Sequence, residues 1–66
     1  MHKMEVLMVP TTSGLMKIYI YGFQNGGAGK VYATLNQRIS TSKGYNKRLA
    51  IIRAVERLHQ SFTNKY

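Results

Sequence analysis

Cysteine is absent from this chain, and with it go disulfides and thiolate metal sites. Acidic residues are nearly absent: Glu5 and Glu56 are the only carboxylate side chains, and there is no aspartate. The two histidines, His2 and His59, lie far apart in sequence and belong to no group with metal-ligand spacing. With so few candidate acids and bases, nothing in the sequence is placed to activate one of its many Ser and Thr hydroxyls. The reading is therefore non-enzymatic: no catalytic residue, no metal and no cofactor is expected, and no small-molecule substrate is evident. Long apolar runs are missing too. Val6 to Val9 is far shorter than the apolar part of a secretory signal, about 7–15 residues. No stretch approaches the roughly 20 apolar residues of a membrane span. A cytoplasmic chain with no membrane partner is the expectation.

What is abundant is positive charge. Ten Lys and Arg against two Glu give a formal charge of +8. A field of that sign attracts polyanions and acidic protein surfaces. Apolar residues make up 44% of the sequence, enough for a folded domain. At 66 residues the core is small, because a chain of this size buries only about 60% of its unfolded surface. With no disulfide available, oligomerisation is the expected supplement.

Along the chain, residues 16–23 form the clearest strand. Ile18 and Ile20 fall on one side, and Tyr19, Tyr21 and Phe23 on the other. Residues 24–30 read as a turn around Asn25-Gly26. Val31 to Leu35 is a second strand, Asn36-Gln37 a tight turn, and Arg38 to Lys43 a third strand with Ile39 and Thr41 inward and Arg38, Ser40 and Ser42 outward. Asn46 is placed to cap a helix from Lys47 to about Phe62. Ile51, Val55, Leu58 and Phe62, with Ala54 between them, make its apolar stripe. The expected core is Ile18, Ile20, Val31, Leu35, Ile39, Ile51, Val55, Leu58 and Phe62. Residues 4–9 are either a further strand or part of an extension that covers residues 1–15, with Met16 as an alternative start. Residues 16–66 form the domain. The class is α+β: a three- or four-stranded antiparallel sheet with one C-terminal helix packed on one face.

Two motifs invite function. Gly-Gly-Ala-Gly-Lys at 26–30 resembles a phosphate loop, but Gln24 stands where the first glycine belongs and Val31 where Ser or Thr belongs. It also leads into a strand, so no helix N-terminus would hold a phosphate. A hairpin tip with one lysine describes it better. The basic residues Arg38, Lys43, Lys47, Arg48, Arg53 and Arg57 are the candidates for contact with nucleic acid or an acidic partner. Arg53 and Arg57 repel each other at i, i+4 if they are only a solvated helix face. Glu56 is expected to pair with Arg53, and His59 to sit half-buried at the edge of the stripe. Tyr19, Tyr21, Phe23 and Tyr32, flanked by Lys17, Arg38 and Thr34, form an aromatic patch. Dimer interface or simple sheet packing ranks first for it, then stacking of unpaired bases.

Arg38 to Leu58 resembles the signature of the YegP-like family, small bacterial and phage domains. Thr41, Ser42, Gly44 and Tyr45 match its strand end, Arg48 stands at its lysine, and Ala54, Val55 and Glu56 match its helix core. Met16 to Phe23 is similar to its opening strand. Asn46-Lys47 replaces its Ser-Ser pair, Leu49 replaces a small or polar residue, and residues 1–15 have no counterpart. The resemblance implies a β-β-β-α unit from 16 to 66 and no settled activity. Because family members often occur as tandem copies, it also implies that a single copy pairs with itself. A weaker similarity, to the C-terminal half of double-stranded-RNA-binding domains, concerns shape. The functional expectation is a small basic module contacting nucleic acid or another acidic macromolecule. The alternative is a protein-binding inhibitor or adaptor of the phage counter-defence type.

Overall fold

The structure, a computed structural model, describes residues 4–63, with side chains described to residue 60. Phe62 of the expected stripe and His2 lie outside the residues whose side chains are described. Four strands follow one another as an antiparallel meander: β1 (Met4–Thr11), β2 (Gly14–Gly22), β3 (Gly29–Leu35) and β4 (Arg38–Gly44). The helix α1 (Lys47–Thr63) closes one face. Residues 4–11 are thus the fourth strand, added at the edge of the sheet beside β2.

Short polar contacts fix the ends. The Thr11 hydroxyl donates to the Gly14 carbonyl at 2.6 Å, and Ser13 N–H donates to Thr11 Oγ1 at 3.2 Å. The Asn36 side-chain amide donates to the Ser13 carbonyl at 3.2 Å, tying the β1–β2 turn to the β3–β4 turn. Asn36 itself has φ 55°, a left-handed conformation that asparagine tolerates well. Asn46 caps α1 as its sequence position predicts. Its Oδ1 accepts from Leu49 N–H at 3.1 Å, and its carbonyl accepts from Ala50 N–H at 2.9 Å.

The core lies between α1 and the inner half of the sheet. Ile18, Ile20, Val31, Ala33 and Leu35 meet Ala50, Ala54 and Leu58, with Met16, Phe23, Ile51 and Val55 half-buried around them. The helix sits over β3 and β4. Small residues stand among those that meet there: Ala50 and Ala54 of the helix share the core with Ala33, and Ser40 and Ser42 lie on the helix side of β4. Small side chains allow close approach, and the Ser40 hydroxyl donates to the Ala54 carbonyl at 2.5 Å.

Several side chains lie otherwise than the sequence predicts. Ile39 is 68% exposed and Thr41 is exposed, whereas Ser42 is buried and Ser40 half-buried. The cause is register. The two-residue turn pairs Leu35 with Arg38, so Ser40 falls opposite Ala33 and Ser42 opposite Val31, all on the helix side. Phe23 leaves the tyrosine face. Gly22 at φ 83° and Phe23 at φ 64° break the strand alternation, and the Phe23 ring lies against Gly29, where a Cβ would stand 2.3 Å from the ring. His59 is exposed. Glu56 makes no ion pair with Arg53; among the described residues the salt bridge is Lys47 with Glu5.

Candidate functional site

The sheet face turned away from α1 collects the tyrosines. β2 contributes Tyr19 and Tyr21, and β3 contributes Tyr32, directly opposite Tyr19. The Tyr21 and Tyr32 rings meet edge to face, with centroids 5.7 Å apart and planes at 87°. That geometry suits the positive edge of one ring against the negative face of the other. Tyr21 is exposed, while Tyr19 and Tyr32 are half-buried and leave part of each ring open.

Beside the tyrosines stand two lysines. Lys30 of β3 is paired directly with Lys43 of β4, and both are exposed on this same face. Like charges directly opposite each other destabilise a sheet. From the other side of β4, α1 adds two arginines. The close approach of the helix brings Arg53 and Arg57 down to the sheet edge, where the Arg57 guanidinium donates to the Thr41 carbonyl at 2.6 Å. Lys30, Tyr32, Thr41, Ser42, Lys43, Arg53 and Arg57 together line a hollow of about 350 Å³. Four of these seven side chains are cationic and none is acidic.

The hollow continues across the sheet. Lys30 and Tyr32 also border a depression shared with Tyr19 and Tyr21. Lys30 and Lys43 border another with Tyr21 and Tyr45, floored by Gly22, Gly29 and Gly44, which occupy neighbouring positions on three strands. The result is one continuous surface on which cations and aromatic rings alternate, running from the open sheet face around the β4 edge to the helix. Such a surface can hold phosphates on its cations and planar groups on its rings.

Of the basic residues singled out in the sequence, Lys43, Arg53 and Arg57 converge here. Lys47 does not; it is paired with Glu5 at the end of the sheet nearer β1. Arg48 is exposed on the first turn of α1, and Arg38 lies at the opposite end of β4 from Lys43, on the helix side by register. Tyr19, Tyr21 and Tyr32 share the site, and Phe23 does not. Lys30 is the residue the sequence reading missed, having been set aside as the lone charge of a hairpin tip. Tyr45 figures in the sequence only as a match to the YegP-like strand end, not as a site residue. The signal was available: the Asn36-Gln37 turn fixes Leu35 against Arg38, and counting outward from that pair sets Lys30 against Lys43.

No group of three or more His, Cys, Asp or Glu among the described residues could hold a metal. No helix among them is long and apolar enough to cross a membrane. Comparison with known proteins gives no match to a family model, a curated protein or a solved structure.

Proposed function

We propose that this chain is a non-catalytic module that binds single-stranded nucleic acid on the surface around Lys30 and Lys43. The observation that carries the proposal is the gathering of Lys30, Lys43, Arg53 and Arg57 around one hollow with no carboxylate among them. Concentrating four cations raises the energy of the free protein, and an anion lowers it again. The repeating anion that suits an extended cationic surface is a phosphate backbone. Tyr19, Tyr21 and Tyr32 select the unpaired form, because aromatic faces stack on bases that a duplex keeps inside. In this reading Lys30, Lys43 and Arg53 contact phosphates, Arg57 does so while held by the Thr41 carbonyl, and Tyr32, at the junction of two depressions, stacks the base between them. The YegP-like resemblance of residues 38–58 belongs to the same proposal and is compatible with it, since that resemblance brings no activity.

The test is a chemical-shift titration of the labelled chain with a short single-stranded oligonucleotide. Shifts are expected at Lys30, Tyr32, Lys43, Arg53 and Arg57, with β1 undisturbed. Absence of shifts with DNA and RNA alike would remove the proposal. A stable protein partner recovered after nuclease treatment, and displaced by changes at these same residues, would favour the adaptor reading instead.

A further inference from the structure

We propose that β1 is the seam at which two copies of this chain join, antiparallel and edge to edge, so that their two four-stranded sheets become one. This interface does not use the cations of the proposed nucleic-acid surface, which lie on β3, β4 and α1 toward the other edge of the sheet.

The backbone states the case first. Thr12 and Ser13 form a two-residue turn closed by the Thr11–Gly14 pair. Such a closing pair exchanges backbone hydrogen bonds, and the pairs beyond it alternate. Thr11, Val9, Leu7 and Glu5 therefore direct their backbone groups toward β2. Met4, Val6 and Met8 direct theirs outward, away from the sheet. The same count on β4, from the Leu35–Arg38 pair, directs the Thr41 carbonyl outward, and that carbonyl is where Arg57 donates. One edge of the sheet thus has a side chain across it. On the other edge, no described residue bonds the outward groups of Met4, Val6 and Met8.

The side chains of β1 are as unusual as its edge. Met4, Val6, Leu7, Met8 and Val9 are apolar on both faces of the strand, and their exposures lie between 37% and 61%. The helix lies over β3 and β4 and leaves them uncovered. Protein edges are ordinarily guarded by lysines, bulges or prolines. β1 has no Lys or Arg; its one charged side chain, Glu5, is taken up by Lys47, and its proline, Pro10, stands near one end. A strand of this kind is an interaction surface.

Charge selects the occupant. β1 carries nothing to attract a nucleic acid or an acidic protein. Two copies each at +8 repel most strongly where their cations face each other, around β4 and the outer side of α1. Approach through β1 keeps those clusters at opposite outer edges of the joined sheet. The strand is also complementary to itself, as a two-fold interface requires. Centred on Val6, the pairing sets Val6 against Val6 and Met4 against Met8 of the second copy, matching outward N–H to outward carbonyl and thioether to thioether. Pro10, which lacks an N–H, falls outside this central register.

The experiment is sedimentation of the full chain from micromolar to millimolar concentration, joined to a cross-linking pair. The parent is expected to approach twice the single-chain mass of 7.5 kDa, and Val6→Lys to remain at the single-chain mass with an unchanged circular dichroism spectrum. Because the chain has no cysteine, Val6→Cys supplies one thiol per copy. Hydrogen-bonded antiparallel partners have Cα atoms about 5.5 Å apart, within disulfide reach. Mild oxidation should convert Val6→Cys to a covalent dimer and leave Ile39→Cys, on the far edge, unlinked. A parent of single-chain mass throughout would overturn the proposal, as would open-ended polymers, or equal cross-linking at both positions. None of these readouts involves nucleic acid, so their failure leaves the binding proposal standing, and the reverse holds.

Discussion

Lys30 and Lys43 face each other directly across β3 and β4, two like charges side by side on an exposed sheet surface. This pair costs folding stability, on the order of 0.2–1 kcal/mol for such neighbours. Replacing one of them with an acid turns repulsion into attraction. Lys43→Glu should therefore raise the denaturation midpoint while weakening nucleic-acid binding. Chemical denaturation and an oligonucleotide titration on the same preparation check both signs. A variant that lost stability and binding together would indicate a structural lysine.

Tyr32 stands between the aromatic and cationic parts of the surface. Tyr32→Ala should weaken single-strand binding by about 1–3 kcal/mol, the usual contribution of one stacked base. Tyr32→Phe keeps the ring and should bind nearly as the parent does. The difference between Ala and Phe, measured by anisotropy titration, isolates stacking from charge. Circular dichroism guards against a folding effect, since Tyr32 also packs edge to face with Tyr21.

The Ser40 hydroxyl donates to the Ala54 carbonyl and, with the Arg57–Thr41 bond, ties β4 to α1. Ser40→Ala removes the donor and should cost about 0.5–1.5 kcal/mol in a urea titration. The larger Ala54→Leu acts by a different route. Ala54 is fully buried at the close helix–sheet contact, so the added volume should cost about 1–3 kcal/mol. It should also lift Arg53 and Arg57 away from the sheet edge and lower oligonucleotide affinity without touching the ligand.

Leu58 of α1 and Ile39 of β4 give a paired test of the core. Leu58→Ala should cost about 2–5 kcal/mol, because Leu58 is only 2% exposed within the core between helix and sheet. Ile39→Thr should stay within about 0.5 kcal/mol of the parent, since Ile39 is largely exposed. Equal losses at both positions would mean that Ile39 is covered in solution, and the register of β4 would need revision.

The fold was largely legible in the sequence because its signals are local. Alternation placed Ile18 and Ile20 opposite Tyr19 and Tyr21, and Asn46 marked the start of α1. β4 failed because its own pattern misleads: Ile39 is the apolar residue in a polar strand, yet the serines face the core. Hydrophobicity assigned the strand to one face, whereas turn length assigned it to the other, and turn length prevailed. Phe23 failed because a left-handed backbone interrupts alternation, which depends on spacing alone. The site was half legible. Lys43, Arg53 and Arg57 could be listed as basic, but their meeting with Lys30 depends on how closely α1 approaches β4, a property of the small residues between them.

The most direct measurement of the central claim is a salt series of binding isotherms, by fluorescence anisotropy, with a labelled single-stranded oligonucleotide and its duplex. Four phosphate contacts, from Lys30, Lys43, Arg53 and Arg57, give a slope of about −3 in log affinity against log salt. A fourfold rise in salt should then lower single-strand affinity roughly 50-fold. The duplex should bind more weakly at every salt concentration, because its bases are withheld from Tyr19, Tyr21 and Tyr32. Binding that is flat with salt, absent for both DNA and RNA, or indifferent to strandedness would contradict the account.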